Sequence, residues 1–168
     1  MARKLGVNAT QRLALLKNQA SALLWHGKIE TTEARAKEVA SYVAKIITLA
    51  VNTYMDTVET TVTTKDAKGK EVTKKVIKDG AKKLAARRKI MSLTYDIQYA
   101  KEAKESKAAY KARTKGINHP LIEKIFNEIA PKYAERKEQL GQGGGYTRRY
   151  LKGERRGDAA EVAIIELV

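Results

Sequence analysis

The sequence predicts an α+β fold: helices packed on a small mixed or antiparallel sheet, with a projecting β-hairpin and a polar helical insertion. Three observations predict it. Apolar residues recur at helical spacing through the first 52 positions, a period of two takes over across 57–78, and a second period-two stretch closes the chain. Periods of 3.6 and 2 are the marks of amphipathic helices and half-buried strands. Helices and strands in separate runs suit an α+β arrangement.

Asn8 and Gln11 have the spacing of a capping box, in which each side chain satisfies a free N–H at a helix start. Leu13, Leu16, Ala20, Leu23 and Leu24 then form one stripe, and Gly27 supplies a stop. The segment Lys28-Ile29-Glu30-Thr31 reads as a brief extended link, with Thr31 or Thr32 capping a second helix to about Asn52. Ala36, Val39, Ala40, Val43, Ile46, Ile47 and Ala50 are its apolar face.

Val58, Thr60, Val62 and Thr64, then Val72 and Val76 after a turn at Asp66-Ala67-Lys68-Gly69, predict a hairpin. Thr, Lys and Glu dominate it, so it has little to pack on and should project. One polar helix is expected from Ala81 to about Lys115, ended by Gly116, with Leu84, Met91 and Tyr95 on one weak stripe and Ile90, Leu93 and Ile97 on another. Pro120 suits the first turn of a further helix bearing Leu121, Ile122, Ile125, Phe126 and Ile129, which Pro131 should break or kink. After the glycines 141–145, strands over 146–152 and 160–167 should form a hairpin that brings Arg148, Arg149, Arg155 and Arg156 close together. Trp25 is expected in the core.

Charge bounds the function. With 34 Lys and Arg against 19 Asp and Glu, the 168-residue chain carries +15, which opposes compaction unless a polyanion neutralises it. No cysteine is present, so a disulfide framework and a thiolate zinc site are excluded, and a reducing, cytoplasmic setting is expected. The leading residues lack the apolar run of a signal peptide. His26 and His119 have no His or Cys at metal-ligand spacing and no acid–base constellation around them, so neither a metal, a cofactor nor an enzyme activity is expected. Gly141 to Gly145 lead into a strand and lack the Lys and Ser or Thr of a phosphate-binding loop, which favours a pliant linker.

The informative residues are scattered cations. Arg3, Lys4, Arg12 and Lys17 lie in the leading arm and first helix, Arg35 and Lys37 open the second helix, and Arg87, Arg88 and Lys89 follow Lys82 and Lys83 in the polar helix. Arg148, Arg149, Arg155 and Arg156 belong to the final hairpin, where Tyr146 has the setting of a ring that stacks on a base and Thr147 adjoins it. Tyr150 either shares that role or points into the core. A groove reader concentrates charge on one recognition element, whereas dispersed clusters meet the phosphates of a folded RNA from several sides. Two rivals remain: a DNA-coating protein, which would need a dimer surface or an apolar wedge, and an RNA-processing enzyme, which would need a nucleophile, a paired base or a cofactor loop.

The order of features resembles the bacterial ribosomal large-subunit protein seventeen family. Arg12, Asn18, Leu23, His26, Ile29, Thr31-Thr32, Ala36-Lys37-Glu38 and Ile47-Thr48-Leu49-Ala50 carry the N-terminal likeness. Phe126-Asn127-Glu128-Ile129-Ala130-Pro131, Gly144-Gly145-Tyr146-Thr147-Arg148, Leu151-Lys152, Arg156-Gly157-Asp158 and Ile165-Glu166-Leu167 carry the C-terminal one. The resemblance implies one α+β domain over 1–168, no catalysis, and a place in the large subunit near the outer rim of the polypeptide exit. It implies ribosomal RNA and neighbouring large-subunit proteins as partners, with the basic arm from Arg3 through Arg12 and the 146–149 strand touching RNA. Stretches at about 57–78 and 96–116 depart from the family pattern and read as insertions.

Overall fold

A computed structural model describes residues 3–65 and 71–168. The expected turn at Asp66-Ala67-Lys68-Gly69 lies outside the described residues.

Helix α1 (Ala9–His26) starts at Asn8, whose side chain accepts a hydrogen bond from the Gln11 backbone N–H. It ends at Gly27, whose φ of 78° is the left-handed conformation that glycine adopts without a Cβ clash. The expected extended link is a true strand, β1 (Lys28–Thr32), and α2 (Glu33–Val51) follows directly. β4 (Thr147–Glu154) and β5 (Glu161–Leu167) complete an antiparallel sheet in the order β1-β5-β4. Four residues of local sequence cannot reveal a strand whose hydrogen bonds go to a segment more than 130 positions away. Ile29 stands opposite Ile165 in that pairing, with Arg149 opposite Ile165 on the other side.

Alternation gives the sheet one buried face. Ala163 and Ile165 are fully buried against α1 and α2, where Leu23, Leu24, Val39, Val43, Ile46 and Ile47 form the centre of the core. Burying such aliphatic side chains stabilises the fold by about 1.5–3 kcal/mol each before entropy is subtracted. The third core-forming segment is α5 (Pro120–Lys124), a π turn (Ile125–Ile129) and α6 (Ala130–Leu140). Pro131 therefore does not break the helix. It sits in the first turn of α6 just after the π turn, where the Ala130 N–H reaches back to the Ile125 carbonyl. The widened turn relieves the crowding that a proline ring causes against the preceding turn.

The hairpin β2 (Thr57–Lys65) and β3 (Glu71–Asp79) pairs in register from Thr57↔Asp79 outward. Among the described residues all its extensive contacts are between its own strands, so it projects as expected. Its root is fastened to α3 (Ala81–Leu93). The Asp56 carboxylate accepts from the Lys82 and Lys83 backbone N–H groups at 2.8 and 3.2 Å, capping α3 from outside the helix. Gly80 makes this possible, since a Cβ there would lie 2.4 Å from the Asp56 carboxylate.

The single polar helix expected over 81–115 is two helices. α3 stops at Leu93, and α4 (Lys107–Arg113) follows a non-helical stretch. Tertiary bonds outcompete helix continuation at the break: the Tyr95 N–H donates to buried Ser21 Oγ at 2.8 Å, and Tyr42 donates its hydroxyl to the Leu93 carbonyl at 2.9 Å. Trp25, expected in the core, lies at the edge, half-buried between Tyr99 and Lys124.

Candidate nucleic-acid interface

The leading arm is tied to α2 by one guanidinium. Arg12 donates to the Arg3 carbonyl and to Glu38, and Glu38 also accepts from the Arg3 backbone N–H at 3.3 Å. Arg12 thus organises the arm, leaving the exposed side chains of Arg3 and Lys4 outside. Lys37 is likewise committed to Glu33 one turn away, and that hydrogen bond holds the Glu33 carboxyl below its ordinary range. Lys17 and Arg35 are half-buried and have no carboxylate within ion-pair distance among the described residues. Arg35 lines a groove with Thr32, Gln19 and Arg155.

α3 carries five cations and no acid. The fold sorts them. Lys83 and Arg87 turn inward to Asp79, and Arg87 also donates to Glu123 on α5. Arg87 Nε lies 2.7 Å from Asp79 Oδ2, close enough for strong attraction, but its N–H is not aimed along a hydrogen bond. Its guanidinium also lies 5.2 Å from the centroid of the Phe126 ring. Arg87 is therefore a structural joint between hairpin root, α3 and α5, whereas Lys82, Arg88 and Lys89 point to solvent with no ion-pair partner among the described residues.

In the final hairpin the expected clustering of four arginines is not what the topology delivers. Arg148 and Arg149 sit at its open end, opposite Glu166 and Ile165, while Arg155 and Arg156 lie in the turn at the far end. Five strand residues lie between the pairs, a span of about 20 Å. Alternation also sends Arg148 and Arg149 to opposite faces of the sheet. Arg155 is held by Asp158 at 2.7 Å, and this pairing lowers the Asp158 pKa to about 2. Arg156 is exposed.

Tyr146 is not placed to stack on a base. It is 7% exposed, its ring meets Tyr133 edge-on with centroids 4.9 Å apart, and it shares a hydrogen bond with Thr48 at 3.3 Å. Its carbonyl accepts from the Tyr133 hydroxyl and from the Val168 N–H. Tyr146 thus pins α2, α6 and the C-terminus together. The preceding glycines are shaped rather than slack, with Gly144 and Gly145 at φ of 106° and 61° and Arg136 donating to the Gly145 carbonyl. Thr147 is half-buried beside this joint, and Tyr150, 44% exposed, lies on the sheet face opposite the core.

Sequence reasoning passed over the lysines of the stretch 96–116. Lys101, Lys104, Lys107, Lys111 and Lys115 are all exposed, and none has a carboxylate within 4.0 Å among the described residues. The signal was present as regularly spaced lysines with alanines between them, masked by the expectation of one long solvated helix. The two histidines lie apart, His26 exposed at the end of α1 and His119 before α5 with Nδ1 3.3 Å from Asp96.

The described residues form a basic α+β body in which ion pairs organise the joints and further cations lie exposed at the surface, the build of a structural protein. Comparison with known proteins is specific. A match to the family described as Ribosomal protein L17 spans residues 15–168. The chain is 41% identical to a large ribosomal subunit protein bL17 of Lachnospira eligens over 99% of this chain and 98% of that one. It is 38% identical to bL17 of Acetivibrio thermocellus, covering 99% and 98%, and 38% identical to bL17 of Clostridium botulinum, covering 99% and 96%. The chain belongs to the ribosomal protein L17 family. It is a structural ribosomal protein and not an enzyme.

Proposed function

We propose that this chain binds and stabilises folded large-subunit ribosomal RNA through cations distributed over several sides of its body. It is a structural constituent of the large ribosomal subunit, as its curated relatives are by name. The observation that supports the RNA reading is the sorting of charge: Arg12, Lys37, Arg87 and Arg155 are used in internal pairs. Lys4, Arg88, Lys89, Arg148, Arg149 and Arg156 are exposed, with no such pair among the described residues. Lys17, Arg35 and the side chain of Arg3 extend this set around the leading arm and the start of α2. Neighbouring large-subunit proteins and a position at the outer rim of the polypeptide exit region belong to the same proposal.

Neutralising phosphates releases counterions, so affinity for RNA must fall as salt rises, by about 10³ to 10⁵ between 50 and 200 mM if six to ten phosphates are contacted. Filter binding to isolated large-subunit RNA over a salt series tests this, together with sedimentation of the native protein with large subunits after a moderate salt wash. Absence from the subunit together with salt-insensitive binding overturns the proposal, and preferential recovery on DNA supports the DNA-coating alternative.

A further inference from the structure

We propose that the 96–116 insertion is a separately anchored RNA-docking element that presents Lys107 and Lys111 to a phosphate backbone; this rests on the RNA-binding reading above. A seven-residue helix has too few internal hydrogen bonds to persist by itself, and α4 buries none of its residues. It is held from one side by a chain of specific contacts. Ser106 caps it by accepting from the Ala109 N–H. Arg113 grips Glu105 with two hydrogen bonds of 3.0 Å, donates to the Ala100 carbonyl, and lies 5.6 and 5.8 Å from the ring centroids of Tyr110 and Tyr99.

Tyr99 passes the load to the body. Its ring lies 5.3 Å from Trp25 at the end of α1, and Lys124 covers the same indole while donating to the Trp25 carbonyl at 2.8 Å. The insertion is therefore a fixed element whose rings Tyr99 and Tyr110 are half-buried, while its acids Asp96 and Glu102 are exposed and Glu105 is part-buried. Glu105 is spent on Arg113, which holds its carboxyl below the ordinary range, and Asp96 lies against His119 and Gln98.

What faces outward is mainly cationic, with five exposed lysines against the exposed carboxylates of Asp96 and Glu102. Lys107 and Lys111 lie one helical turn apart, Lys104 precedes the cap and Lys115 follows the last turn, all exposed. Like charges at this spacing weaken an isolated helix, a cost that an arriving polyanion reverses. Between them are exposed alanines 108, 109 and 112, small enough to let a sugar–phosphate backbone approach. A protein partner would be expected to seat on aromatic or large apolar anchors, and the outward surface of α4 has none. Charge and the missing anchors together favour RNA as the occupant.

The test uses the full chain with Lys107 and Lys111 replaced by Ala, which preserves helix propensity, and a second variant with both replaced by Arg. Binding to isolated large-subunit RNA is measured across a salt series, with hydroxyl-radical footprinting of the same complexes. The Ala variant should melt like the parent, show a dependence of log K on log salt shallower by about 1.4–1.8 units, and lose protection at one discrete RNA segment. The Arg variant should retain slope and footprint. An unchanged slope and footprint in the Ala variant, with the parent still binding steeply, overturns this inference and leaves the broader RNA-binding reading standing. A parent that shows no salt-dependent binding overturns both. Photo-crosslinks from position 107 or 111 in assembled subunits that reach protein instead of RNA also overturn it.

Discussion

At Gly80 and Asp56 a single hydrogen atom decides whether a helix can be capped. The Asp56 carboxylate occupies the space that any larger residue at 80 would need, and it satisfies two of the N–H groups left open at the start of α3. Asp56→Ala is expected to cost about 1 kcal/mol, the usual worth of a side-chain cap. Gly80→Ala should cost about 1–3 kcal/mol through overpacking, and less when Asp56 is already Ala, because the two share one contact. Denaturant unfolding of the two single variants and the double variant checks this, and additive losses would contradict the shared contact. Asp158 supplies a second residue-scale prediction. Its folded pKa of about 2, lowered first by the hydrogen bond from Arg155, lies below its usual 3.8, so the pairing is fully present above the usual value and is lost as pH falls through about 2. A carboxyl NMR titration should show this, and Arg155→Gln should return Asp158 toward its usual value.

Elements are joined by side chains that the sequence presents as candidate RNA ligands. Tyr146 links α2, α6 and the C-terminal residues, so Tyr146→Ala should destabilise the protein by about 3–5 kcal/mol, as loss of a buried aromatic does. Tyr146→Phe should cost about 1 kcal/mol, removing one hydroxyl bond while keeping the packing. Neither the thermal melt of the Phe variant nor the salt slope of its RNA binding should change greatly; a shallower slope would return Tyr146 to the interface. Arg87 holds the projecting hairpin to α3 and α5 through Asp79 and Glu123. Arg87→Ala should speed amide exchange at the root of β2 and β3 while leaving the salt slope intact.

For the molecule as a whole, the surplus of positive charge is arranged around the periphery instead of in one patch. Loss of any one cluster should therefore weaken RNA binding in proportion to the phosphates it meets, without abolishing it. Replacing Arg148 and Arg149 together with Ala should reduce incorporation into large subunits in competition with the parent, with the fold unchanged because both side chains are exposed on an edge strand. Since the two point to opposite faces, the single variants should remove protection at different RNA positions. Equal incorporation of parent and double variant would contradict this.

Sequence alone determined the elements whose signals are local. Asn8 with Gln11 marked the start of α1, the aliphatic stripes of the first two helices marked the core, and alternation marked both hairpins, because periodicity follows from backbone geometry within a few residues. The excess of lysine and arginine and the two family-like blocks were equally legible. Tertiary structure decided the rest, since it rested on contacts between distant segments. β1 became a strand only through β5, the break after Leu93 followed from Ser21 and Tyr42, and Pro131 was accommodated by a π turn. Burial and partnership also decided which candidate residues were exposed: they withdrew Tyr146, Arg12, Lys37, Arg87 and Arg155 into the framework and left the lysines of 101–115 outside. The physical reason is that charge and aromaticity belong to a residue type, whereas availability for a partner belongs to its surroundings.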